Sequence, residues 1–124
     1  MKRLTYIIAI IALGLTNAAM AQQQPTVIEL SQVEGKFSQT ELILEPGTYV
    51  FEVTNASVDR EVGLVVANTT DDGTTGDHIK EGYLSNTITK GQTAKSQVVT
   101  LEAGTYKYFC PLNPTPEYTI TVSE

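Results

Sequence analysis

Leu44-Glu45-Pro46-Gly47-Thr48-Tyr49 and Leu101-Glu102-Ala103-Gly104-Thr105-Tyr106 share one pattern, Leu-x-x-Gly-x-Tyr. Each copy opens a stretch rich in β-branched and aromatic residues, which fit a pleated surface better than a helix. A Tyr just past such a corner can bury its ring and return its hydroxyl to upstream backbone. That is the tyrosine-corner device of Greek-key sandwiches. Two copies imply two equivalent positions in a two-sheet barrel; a solenoid would need at least three.

Outward from the corners the chain breaks into short apolar runs separated by Gly, Pro, Asn or Asp. Tyr49, Phe51 and Val53 alternate with Val50, Glu52 and Thr54, the period of a half-buried strand. Strands are also predicted over Thr26–Leu30, Phe37–Leu44, Glu61–Ala67, Ser96–Leu101, Thr105–Cys110 and Tyr118–Val122. The fold class expected is all-β: a Greek-key β-sandwich or barrel of about seven strands. Asn68 to Lys95 is irregular. Its first part, Asn68 to Gly76, reads as a solvated loop, and Asp77 is placed to cap one helical turn carrying Ile79 and Tyr83. No linker divides the chain, so residues 22–124 form one domain.

Residues 1–21 read as an export signal. Lys2 and Arg3 precede an apolar run from Tyr6 to Leu15, and Ala19-Met20-Ala21 offers small residues for cleavage. That run is too short to span a bilayer, which takes roughly 20 apolar residues. The expected location is periplasmic or secreted, with no membrane span after cleavage. The net charge of −6 deepens to −8 without the two basic residues of the signal. Such acidity argues against nucleic acid and against anionic lipid as partners.

His78 is the only histidine and Cys110 the only cysteine, and both methionines lie in the signal. No intrachain disulfide can form. No Gly-x-Ser-x-Gly elbow or phosphate-binding glycine loop is present, so no enzyme is expected. Asp71, Asp72 and Asp77 with His78 and Glu81 lack the spacing of a calcium loop and read as a solvated acidic segment.

Three segments resemble the cupredoxins, small exported Greek-key sandwiches that typically carry a type 1 copper ion. Tyr49-Val50-Phe51-Glu52-Val53-Thr54-Asn55 is similar to the strand before the family's first histidine ligand. Arg60-Glu61-Val62 falls where His-Glu-Val or His-Asn-Val is usual. Gly104-Thr105-Tyr106-Lys107-Tyr108-Phe109-Cys110-Pro111 is similar to the strand that delivers the cysteine ligand. By this resemblance Cys110 matches the copper cysteine. Arg60 stands in the first histidine slot, Asn113 in the second, and Glu117 near the axial position. A type 1 site takes two His and one Cys, so the resemblance implies a scaffold whose copper site has been lost.

The leading reading is therefore a binding or structural module without a cofactor, acting on an unknown protein partner through the end formed by Arg60, Cys110, Asn113 and Glu117. The competing reading is a copper-binding or electron-transfer protein with a redox partner, its non-standard site built from Cys110, His78 and Glu117. In the first reading, Arg60 is expected to pair with Glu117 or Glu61. The prolines of Pro111-Leu112-Asn113-Pro114-Thr115-Pro116-Glu117 are expected to supply the stiffness a metal would otherwise lend the loop.

Overall fold

The computed structural model describes residues 24–124, so the signal segment lies outside the described residues. Ten strands form two sheets: β1 (Thr26–Val33), β2 (Lys36–Phe37), β3 (Glu41–Leu44), β4 (Gly47–Asn55), β5 (Val65–Thr69), β6 (Thr75–His78), β7 (Thr93–Lys95), β8 (Val99–Leu101), β9 (Gly104–Phe109) and β10 (Tyr118–Val122). One sheet runs β2-β1-β4-β7, with β8 also on β4; the other runs β3-β10-β9-β5-β6. The all-β sandwich expected from sequence is the fold observed.

The strand count exceeds seven because one expected strand is split and two strands form inside the stretch Asn68–Lys95 that was expected to be irregular. Phe37–Leu44 crosses between sheets: Lys36 and Phe37 pair with β1, while Glu41 to Leu44 run parallel to β10. Ser96–Leu101 shortens to β8, and β7, just before it in the stretch expected to be irregular, pairs with β4 as a strand of its own. The third change adds β6, which turns the expected loop at Asn68–Gly76 into a hairpin with β5. Asp72 organises its tip, accepting from the hydroxyls of Thr70 at 2.5 Å and Thr74 at 2.9 Å. Those bonds hold its carboxyl below the usual range.

Asp77 caps nothing. It lies within β6, and the 3-10 turn Lys80–Gly82 follows Ile79, which offers no side-chain cap. The Ile79 amide donates to the Val66 carbonyl at 2.7 Å, which keeps the chain extended through the position where a cap was expected. Only part of Glu61–Ala67 joins a strand. The side chain of Asn55 draws the preceding residues into a turn, bonding the carbonyls of Val58 and Arg60 and the amide of Val58. Val62 then makes an isolated bridge to Ile88.

Alternation places Tyr49, Phe51, Val53 and Asn55 on the inner face of β4. Ile28, Leu30 and Gln32 do the same on β1. Between the sheets Phe37 meets Tyr108 and Tyr118 edge-on, with ring centroids 5.4 and 5.8 Å apart. Edge-to-face pairing of this kind adds to the gain from area burial. Both tyrosine corners form: Tyr49 bonds the Glu45 carbonyl and Tyr106 the Glu102 carbonyl.

Candidate functional site

One end of the sandwich gathers the ends of β1 and β4, the segment from Val58 to Leu64, and the loop that leaves β9 at Cys110. Asn113 is fully buried there. Its Nδ2 donates to Gln32 Oε1 at 3.0 Å and to the Val33 carbonyl at 2.9 Å. Its Oδ1 accepts from the Gly35 amide at 2.8 Å and from Arg60 Nη2 at 3.4 Å. Gly35 adopts φ +76°, a left-handed conformation suited to glycine, which turns its amide toward Asn113. Gln32, also fully buried, spends its Nε2 on the Gly63 carbonyl at 2.8 Å. The Gly63 amide in turn donates to Cys110 Sγ at 3.3 Å.

A buried polar group without a partner costs about 1–3 kcal/mol. Among the described residues no buried side-chain nitrogen or oxygen is left without one. The end of the sandwich is thus a completed amide network, bordered by the Cys110 thiol.

Arg60 lies at the surface over this network. It donates from Nε to the Leu112 carbonyl at 3.1 Å and pairs with Glu34 at 2.7 Å. The expected partners are engaged elsewhere. Glu117 accepts from Thr75 Oγ1 at 2.6 Å, and Glu61 accepts from the Thr87 hydroxyl. Glu34 wins because the turn after β1 brings it alongside Arg60, a proximity no local pattern discloses.

Cys110, His78 and Glu117 do not converge. Cys110 is fully buried, on the inward side with Tyr108 by strand alternation. His78 is exposed on β6, its Nδ1 2.8 Å from the Tyr83 hydroxyl. Its ring packs against Phe109, which alternation turns to the opposite side from Cys110. Among the described residues no three His, Cys, Asp or Glu side chains are grouped so as to hold a metal.

Beside the network an apolar cleft of about 420 Å³ opens, walled by Leu64, Tyr83, Leu84, Pro111 and Leu112. Tyr83 and Leu112 are nearly half exposed at its edges. Gln32 and Gly63 are the residues that sequence reasoning missed. The available signal was a polar side chain at an inward position of β1, in step with Ile28 and Leu30.

A type 1 copper centre requires two imidazoles and a thiolate around the ion. By the resemblance, one histidine slot holds a guanidinium, which repels a cation. The other holds an amide whose donor and acceptor groups are already bonded, and the one histidine faces away from the thiol. The residues present do not fit that centre.

No curated protein is similar enough in sequence to count as a match. Among solved structures, auracyanin B superposes with a TM-score of 0.62 at 19% identity, over 82% of this chain and 91% of that one. Auracyanin A, a "blue" copper protein from Chloroflexus aurantiacus, gives 0.63 at 20% identity, over 81% of this chain and all of that one. Amicyanin from Paracoccus versutus gives 0.52 at 17% identity, over 82% of this chain and 92% of that one. These likenesses concern the fold. The model of the cupredoxin-like domain matches residues 4–122, and the chain belongs to that family.

Proposed function

We propose that this chain is an exported cupredoxin-fold binding module that works without type 1 copper. It acts in the periplasm or outside the cell on a protein partner, and it catalyses no reaction. The observation that carries this reading is Asn113. In the slot where the resemblance calls for a second histidine, a fully buried amide has committed both Nδ2 donors and its Oδ1 acceptor to Gln32, Val33, Gly35 and Arg60. Placing a metal there would break those bonds and bring a cation beside Arg60. The cleft between Leu84 and Leu112 supplies an apolar surface of the kind that binds partners.

The test is a copper titration of the mature, reduced protein, read by visible absorbance and by metal retained after desalting. The expected result is neither an intense thiolate-to-copper band nor bound ion. A band at one ion per chain that disappears in Cys110→Ala would overturn the proposal. It would favour electron transfer to a redox partner, with Cys110, His78 and Glu117 as the ligands to examine next.

A further inference from the structure

The buried Gln32–Asn113 amide pair joins three segments that lie far apart in the chain. Through Asn113 it fastens the loop after β9 to the end of β1 and to the Gly35 turn. Through Gln32 it reaches the Gly63 carbonyl, and the Gly63 amide closes the path onto Cys110. Both side chains are fully buried, and water cannot readily replace their bonds. By contrast Pro111, Pro114 and Pro116 are all exposed. They restrict the loop's own backbone but tie it to nothing else. Thr115 closes the base of the loop, its hydroxyl accepting from the Cys110 amide at 3.0 Å, yet that contact is local.

We infer that the Gln32–Asn113 pair is the clamp that fixes this end of the sandwich, doing by hydrogen bonding what a bound metal would do by coordination. The stiffness expected of the prolines belongs to the amide. The clamp also sets the position of Pro111 and Leu112, so one wall of the apolar cleft is held in place before any partner arrives. A prearranged surface binds with less ordering cost than a mobile one.

This inference deepens the metal-free reading and rests on it, but the two can fail separately. Copper retention would refute that reading. A metal-free protein with an unclamped loop would refute only the inference.

The experiment is amide hydrogen exchange on chelator-treated, reduced protein, together with thermal melts. In the wild type the Gly35 amide should exchange as slowly as amides of the central strand β4. Asn113→Ala should speed Gly35 exchange by roughly tenfold or more and lower the melting temperature by roughly 10 °C, from the loss of buried partners. Asn113→Asp retains the oxygen that accepts from Gly35 but loses the donors to Gln32 and Val33. It should keep part of the Gly35 protection and still melt early. Pro114→Ala should leave Gly35 unchanged. Equal protection in wild type and Asn113→Ala, or a loss in Pro114→Ala as large as that in Asn113→Ala, would overturn the inference. If Asn113→Ala does not fold, the wild type decides: fast Gly35 exchange against a slowly exchanging β4 would refute the clamp, and slow exchange would support it.

Discussion

Tyr106 holds Glu102 from both sides: its hydroxyl donates to the Glu102 carbonyl at 2.9 Å and accepts from the Glu102 amide at 3.1 Å. Tyr49 makes the equivalent bond to the Glu45 carbonyl at 2.5 Å. The two corners differ in burial. Glu45 and Glu102 are both exposed, but Tyr49 is 8% exposed whereas Tyr106 is only partly covered. Removing a hydroxyl costs most where water cannot replace it. Tyr49→Phe should therefore lower unfolding free energy by about 1–2 kcal/mol and Tyr106→Phe by about 0.5 kcal/mol. Urea unfolding of both variants checks the order; a larger loss at Tyr106 would reverse it.

These corners were legible because Leu-x-x-Gly-x-Tyr is a local device, complete within six residues. The inward face of β4 was legible for a similar reason, since strand alternation repeats every two residues. Cys110 and Asn113 were grouped at one end of the sandwich by the family resemblance, not by any local pattern. Gln32 could not be joined to Asn113, because 81 residues separate them and no short-range rule links the pair. The break in Phe37–Leu44 was equally hidden. Both halves have strand composition, and only the sheet each one joins tells them apart. His78 faces away from Cys110 because β6 pairs with β5, a contact within a stretch whose polarity suggested a loop.

Gly82 sits in the 3-10 turn directly over Val66. A Cβ at this position would come within 2.9 Å of Val66 Cβ and 3.0 Å of its Cγ2. Val66 is fully buried and β-branched, so it has little freedom to yield. Gly82→Ala should destabilise by about 1–3 kcal/mol through overpacking. In an exposed helix the same change would stabilise. Chemical denaturation checks the sign, and a gain in stability would show that the turn can lift away from β5 without loss.

Burial pushes the Tyr108 phenol up to about 12, with smaller contributions from Tyr118 and Glu41. Its hydroxyl donates to the Gln39 carbonyl at 2.8 Å, a bond that requires the proton. In the unfolded chain the phenol titrates near 10. Above that pH the unfolded state releases a proton the folded state keeps, so stability falls as pH rises. The contribution is complete below about pH 10 and is lost between roughly 10 and 12, at about 1.4 kcal/mol per pH unit. Urea midpoints measured at pH 9 to 12 should decline less steeply in Tyr108→Phe than in the wild type. The slope is the informative quantity, because the variant also loses the bond to Gln39. Identical slopes would remove Tyr108 as the cause.

The Cys110 thiol is fully buried, and its sulfur accepts from the Gly63 amide. Under the proposed export, an unpaired thiol invites an intermolecular disulfide, but thiol exchange needs a thiolate that the other sulfur can reach. Here access requires this end of the sandwich to open. Labelling of native, reduced protein with an aromatic disulfide reagent should be slower than labelling in denaturant by roughly a hundredfold or more, with one equivalent released on unfolding. A non-reducing gel should show monomer. Asn113→Ala should accelerate native labelling while leaving the denatured rate unchanged, since the clamp reaches the thiol through Gly63. Rapid labelling of the wild type would mean that the end of the sandwich opens freely. In that case the thiol would be available to a partner or an ion, and Cys110 would be the first residue to pursue.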